Sequence, residues 1–275
     1  MLMIHTLPNP WGNPPLNASS WTRLKFLASM FFILHSSCFM LNSCGLDVED
    51  STPPSAPVWV QKSLPEEWPE RGIDAHESGG IYLEWYPSSD EDIMAYHIYR
   101  AIWYDTLDSL GDYQLLTRME TESISSTEYI DEQVSTRVKY SYKLKAEDTS
   151  NNTGTFSDSI FYSILPQLNL EWMIPNGVSD LLGNQRMLSW EYGFYIELED
   201  FCLTILTEAN ELISRRILQP INYVDEGESW TIPSDIVLNS NEVYQWRIDA
   251  CANYQDGRET SGSESRWAKF LYEDL

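Results

Sequence analysis

The sequence predicts an all-β protein, two β-sandwiches in tandem behind a short N-terminal targeting segment. Three observations predict it. Apolar and polar residues alternate in short runs, the period of half-buried strands, and no amphipathic helical stretch separates them. A pair of these runs occurs twice, in the same order and at nearly the same spacing. All 42 Asp and Glu residues lie beyond one short apolar stretch near the N-terminus.

The targeting segment comes first. Arg23 and Lys25 precede Phe26-Leu27-Ala28-Ser29-Met30-Phe31-Phe32-Ile33-Leu34, and a softer stretch leads to Leu41-Asn42-Ser43-Cys44-Gly45. A basic start, an apolar middle and a small residue before a cut are the parts of a secretory signal. His35, Ser36 and Ser37 interrupt the run, which is short for a membrane span of ~20 apolar residues; an uncleaved anchor helix is the competing reading. Residues 1–23 carry four prolines and no positive charge before Arg23. They read as an untranslated extension, with the true start at Leu24. Leu41 to Cys44 resembles a lipobox, the processing signal of bacterial lipoproteins. The resemblance implies cleavage after residue 43, a lipid on Cys44 and a membrane as partner through that lipid. Asp47, Glu49 and Asp50 resemble the acidic surface-export signal of lipoproteins in the Bacteroidetes group, which implies outer-membrane attachment, with the outward leaflet open to it. Ser51-Thr52-Pro53-Pro54-Ser55-Ala56-Pro57 then reads as a stiff spacer, so that 44–56 forms a tether.

Charge excludes one class of partner. From Gly45 onward, 15 basic side chains face 42 acidic ones, a surface that repels phosphate backbones, so no nucleic acid is expected. Disorder is excluded by a composition 43% hydrophobic and 13% aromatic.

The repeat carries the fold. Ile81-Tyr82-Leu83-Glu84-Trp85 is answered by Arg186-Met187-Leu188-Ser189-Trp190, and Tyr140-x-Tyr142-x-Leu144-x-Ala146 by Tyr244-x-Trp246-x-Ile248-x-Ala250. From the Trp to the first Tyr is 55 residues in one copy and 54 in the other. Within the first copy, strand-like runs fall near 57–62, 80–86, 93–100, 113–117, 127–131, 137–147 and 155–164, a rhythm that fits a Greek-key sandwich. Pro57, Leu83-x-Trp85, Asp92-Ile93-x-x-Tyr96-x-Ile98-Tyr99-Arg100, Tyr140 to Asp148 and Asn151-Asn152-x-Gly154-x-x-Ser157 together resemble a fibronectin type III domain. The resemblance covers about 53–165, with the domain itself at 57–165. The second copy, 166–275, matches at its Trp and Tyr runs and is fibronectin-like; an immunoglobulin-like sandwich of another topology competes. Trp85 and Trp190 are expected in the cores, each burying ~150–250 Å².

The cysteines sort by position. Cys38 leaves with the signal and Cys44 is the lipidation site, so Cys202 and Cys251 remain, too few for a cysteine-only zinc site. Both have the opposite parity to the inward residues of their strands. In the resembled fold those strands are neighbours, and outside the cytoplasm the two thiols are expected to form a disulfide; two unpaired thiols is the other reading. Catalysis has little to work with. The mature part has two histidines, His76 and His97, the second expected to point outward, and no G-x-S-x-G, H-E-x-x-H or phosphate-cradling loop occurs. No enzyme, metal or cofactor is expected. Asp90-Glu91-Asp92 reads as a solvated turn rather than a calcium loop, which needs 6–8 oxygen ligands. The long connection after Arg100 brings Trp103 and Tyr104 beside acids, which suits a sugar or a protein hot spot; the favoured reading is that they cap the sandwich edge or pack on the second domain. Trp68, in a second long loop, carries the same alternatives. The resemblance implies binding, adhesion or spacing, with a protein or glycan as ligand; a glycan-binding envelope protein and a subunit of an envelope or secretion assembly are the alternatives.

Overall fold

A computed structural model describes residues 50–62, 71–121, 127–192, 198–220, 227–255 and 258–274. Cys44, the signal segment 1–43 and Trp68 lie outside the described residues. Ser51–Leu275 forms one compact unit, and it is all-β.

In the first sandwich β1 (Val58–Trp59), β2 (Ile73–Ala75), β3 (Ile81–Tyr86), β4 (Ile93–Tyr104), β5 (Ser109–Leu110), β6 (Gln114–Glu120), β7 (Glu128–Asp131), β8 (Lys139–Asp148) and β9 (Ile160–Ile164) follow in order. β3 carries β1 and β2 on one side and β7 on the other. The facing sheet runs β6-β4-β8-β9. The chain passes between the sheets from β3 to β4 and again from β6 to β7 and from β7 to β8, a Greek-key path. Alternation along β8 sends Tyr140, Tyr142, Leu144 and Ala146 into the core, where they meet Leu83 and Trp85. Trp85 is buried and edge-on to Trp59 and Tyr96, with centroids 6.4 and 5.4 Å away.

The second sandwich repeats the plan with β10 (Met173–Ile174), β11 (Leu181–Leu182), β12 (Met187–Trp190), β13 (Asp200–Thr207), β14 (Leu212–Leu218), β15 (Glu228–Thr231), β16 (Glu242–Gln255), β17 (Arg258–Glu264) and β18 (Ala268–Tyr272). β10-β12-β15 is one sheet; β14-β13-β16 continues the other, with β18 and β17 sharing the far side of β16. Trp190 packs on Phe201 and Trp246 at 5.5 and 6.3 Å.

Hydrogen bonds confirm the repeat atom by atom. The Ser135 amide donates to the Tyr140 hydroxyl at 2.9 Å and the Asn239 amide to Tyr244 at 2.8 Å, a tyrosine corner in each copy. The Leu144 amide donates to Ser157 Oγ, and the Ile248 amide to Ser265 Oγ, both at 2.9 Å. These partners stand 13 residues apart in the first copy and 17 in the second. The second copy therefore has a longer hairpin, β16–β17, and that extension joins the two sandwiches. β17 runs parallel to β9, with Ser261 beside Ser163 and Gly262 beside Ile164. One sheet thus passes from the first sandwich into the second, and the Leu165 amide adds a bond to the Gly262 carbonyl at 2.8 Å.

One polar cluster in the first core has an apolar counterpart in the second. Asp131 is fully buried and accepts from Arg100 Nη1 at 2.7 Å and the Tyr142 hydroxyl at 2.8 Å. Strand registers place Ile205, Ile232 and Trp246 at the matching positions, all buried. A buried carboxylate needs its cation and its donor together; the second copy has removed all three at once.

The spacer is partly docked. Pro54 and Pro57 are buried, the Pro54 carbonyl presses on Gly154, where any Cβ would collide with it, and the Ser55 amide donates to Asp90 Oδ2 at 2.8 Å.

Candidate functional site

β4 does not end at Arg100 as the sequence suggests. It continues through Trp103 and Tyr104, turns through Asp105–Leu107 and Asp108 in the left-handed region (φ 46°), and returns as β5. A two-stranded extension beyond the sandwich edge satisfies backbone groups that a loop would leave to water. Because Trp103 and Tyr104 are consecutive in a strand, they point to opposite faces. They do not make one aromatic platform. Tyr104 is exposed and lies over Gly111, beside a shallow hollow of about 520 Å³ lined by Arg100, Ile102, Gln114, Leu116 and Gln133. Trp103 packs edge-on against Phe161 at 6.1 Å.

Trp103 belongs to a row of rings and cations on the outer face of the β6-β4-β8-β9 sheet. On β8 the residues between the inward set are Lys139, Ser141, Lys143, Lys145 and Glu147; across from them on β4 stand Tyr99, beside Lys143, and His97, beside Lys145. The Lys139 ammonium lies 5.2 Å from the Trp103 ring centre and 5.1 Å from that of Phe161. Lys143 lies 4.6 Å from Tyr113 and Lys145 4.2 Å from Phe156. Tyr99 meets Phe156 edge-on at 5.0 Å, and the Tyr113 hydroxyl bonds the buried Ser141 Oγ at 2.6 Å. Below this row, Glu147 bridges His97 (2.7 Å) and Arg118 (2.8 Å), and Arg118 reaches Glu120 at 2.8 Å. The Arg118 bond holds the Glu147 carboxyl below the usual range. Parity along β8 is the sequence signal for the lysines: they alternate with the residues that identify the core.

The equivalent face of the second sandwich is covered. Cys202, Thr204 and Arg247 are buried there, and Lys62 and Asp74 of the first sandwich bring charge towards Asp249 and Glu259. Lys62 pairs with Asp74, both nearly enclosed. Arg247 pairs with Glu264, sits 3.3 Å from Asp249 and lies 4.7 Å from the Trp267 ring centre. The Tyr162 hydroxyl accepts the Ala75 amide at 2.9 Å and donates to Glu259 Oε1. Burial, reinforced by Asp74, pushes the Glu259 carboxyl up to about 8, with Lys62 pulling the other way. Gln167 ties the two copies through the carbonyls of Glu77 (2.6 Å) and Glu264 (2.7 Å).

The same covering corrects the disulfide expectation. Cys202 and Cys251 have outward parity, as read, yet both are buried, and they are not joined. Cys202 stands opposite Asp249 and Cys251 opposite Asp200, so the two are one pair out of step across the ladder. Diagonal positions are ~7–8 Å apart, beyond the reach of a disulfide. Cys202 Sγ instead accepts from Arg215 Nε at 2.8 Å, and burial pushes its thiol up to about 11.

Asp90 serves the turn before β4: its carboxylate accepts from the Ser55 amide and from Ser88 Oγ at 3.2 Å, and the Ser55 bond holds it below the usual range. His76 Nδ1 lies 3.0 Å from Ser78 Oγ, and burial lowers its ring below the ordinary histidine value.

No family model matches the chain, and no curated protein matches it. Solved structures that it resembles are fibronectin type III segments. A crystal structure of chicken CNTN1 FN1-FN3 domains is 15% identical with a TM-score of 0.38, covering 81% of this chain and 69% of that one. A two fibronectin type-III domain segment from chicken tenascin is 12% identical with a TM-score of 0.29, covering 78% of this chain and 96% of that one.

Proposed function

We propose that the protein is a non-catalytic envelope lipoprotein, lipid-anchored at Cys44 in the outer membrane, whose sandwich pair serves as a binding, adhesion or spacer module. The observation that carries this reading is the β9–β17 pairing. It makes the two sandwiches one body, so a tether at one end presents the outer face of the first sandwich in a fixed relation to the second. A spacer or presenter needs that rigidity; linkers without it let domains wander. The row of rings and lysines on that face supports binding over spacing alone.

Two measurements test it. Radiolabelled fatty acid should enter the wild-type chain and not Cys44→Ala, and the variant should leave the membrane fraction; label retained by the variant overturns the anchor. Crosslinking and pull-down from intact cells should return a specific protein or glycan partner, and a clean null result at saturating crosslinker leaves the spacer reading alone.

A further inference from the structure

The geometry points to a ligand class for that face, and the inference rests on the binding reading above: we propose that the Lys139–Lys143–Lys145 row binds a linear, carboxylate-bearing polysaccharide. The chain has six lysines, Lys25, Lys62, Lys139, Lys143, Lys145 and Lys269. Half of them stand on one face of β8, in a chain with 42 acids against 17 bases. None of the three has a carboxylate partner among the described residues. Each is instead held over an aromatic ring. A cation resting on a ring keeps its charge and loses freedom before any ligand arrives, which lowers the ordering cost of binding.

The shape of the row selects among anions. Lys143 and Lys145 are two residues apart and Lys139 four further back, so the charges spread over ~20 Å of strand. Tyr99, Phe156 and Phe161 stand beside them, Phe156 exposed. A chain of pyranoses with a carboxylate on successive units meets cation, ring and cation in turn. A folded acidic partner would need ~800 Å² of contact and would overrun the row onto Glu120 and Glu147, which border it. The strongly negative remainder of the molecule does not forbid the contact: at physiological salt charges fade over ~8 Å, so the polymer answers to the local row and its flanks stay in solvent.

The test uses the full chain in affinity gels containing polygalacturonate, with neutral dextran as control and poly-glutamate as the competing polyanion. Retardation is expected with polygalacturonate alone, weakening as salt rises. Charge contacts at a surface contribute about two- to fivefold each, so Lys139→Gln/Lys143→Gln/Lys145→Gln should weaken retention at least ~tenfold while the far-ultraviolet circular dichroism stays that of the folded wild type, and Tyr104→Ala should retain it. Equal retention of the triple variant, no retardation of the wild type, or stronger binding to poly-glutamate each overturns the proposal. The binding-module reading survives such a failure if intact-cell crosslinking still returns a partner, and with the triple variant too.

Discussion

The hydroxyl of Tyr162, in the last strand of the first sandwich, donates to the carboxyl of Glu259, in the long hairpin of the second. Around them lie Lys62 and Asp74 from the first sandwich and Asp249 from the second. The joint is therefore a buried, titratable contact as well as a backbone one.

Its pH dependence has a definite sign. Glu259 is raised from 4.5 to about 8 in the folded protein, so between those values the folded state holds a proton that the unfolded state has lost. Stability is full below about pH 4.5 and falls as pH rises towards 8. Urea midpoints measured across that window should decline in the wild type, and the decline should flatten in Glu259→Gln. A wild-type midpoint that rises across the window would sink this assignment.

Gly262 is at the joint because nothing larger fits. A Cβ there would run into Glu259, the Tyr162 hydroxyl at 2.8 Å and the Ala250 carbonyl at 2.9 Å. Gly262→Ala should cost about 1–3 kcal/mol, the usual range for overpacking, and should speed proteolysis between residues 164 and 168, as followed by mass spectrometry.

Asp131 makes a sharper comparison, because the second copy contains the apolar alternative. Asp131→Ala leaves the Arg100 cation without its partner and should cost about 3–5 kcal/mol. Arg100→Ile/Asp131→Ile/Tyr142→Trp, which installs the residues of the second copy, should recover most of that loss. Denaturant titrations of the two variants decide it.

Cys202 and Cys251 should both be found alkylated when the unreduced, denatured protein is labelled and digested. In the native protein Cys202 should react slowly at pH 7.5, since its thiol is buried and raised to about 11. A Cys202–Cys251 linked peptide would contradict the ladder register.

Much of this architecture is legible along the chain because β-strands write it with period two. Trp85, Tyr140 and Tyr142 identify a core face, and their counterparts Trp190, Tyr244 and Trp246 repeat it. The parity of Cys202 and Cys251 is equally legible, and correct. Parity says which face a residue takes and not what covers that face, which is why the expected surface disulfide became two buried, separated thiols. The same limit applies to Trp103. Its neighbour in sequence, Tyr104, points away from it, while Phe161 and Lys139, distant in sequence, complete its surroundings. The extension of β4 past Arg100 was hidden because its partner strand, β5, is only Ser109–Leu110.

What the sequence by itself determined was local and periodic: which residues face inward, where strands recur, and that two copies of one unit follow an acidic, proline-rich stretch. What only the tertiary structure decided was how the copies meet. The hairpin ending at Ser265 is four residues longer than its partner ending at Ser157, and nothing in the alternation pattern says where the extra length goes. Its edge, with unpaired backbone groups, finds the open edge of β9 and closes both, because an unsatisfied strand edge is costly wherever water is excluded. That one pairing brings Glu259 of the second sandwich onto Tyr162 of the first, and it leaves the lysines of β8 outside the joint.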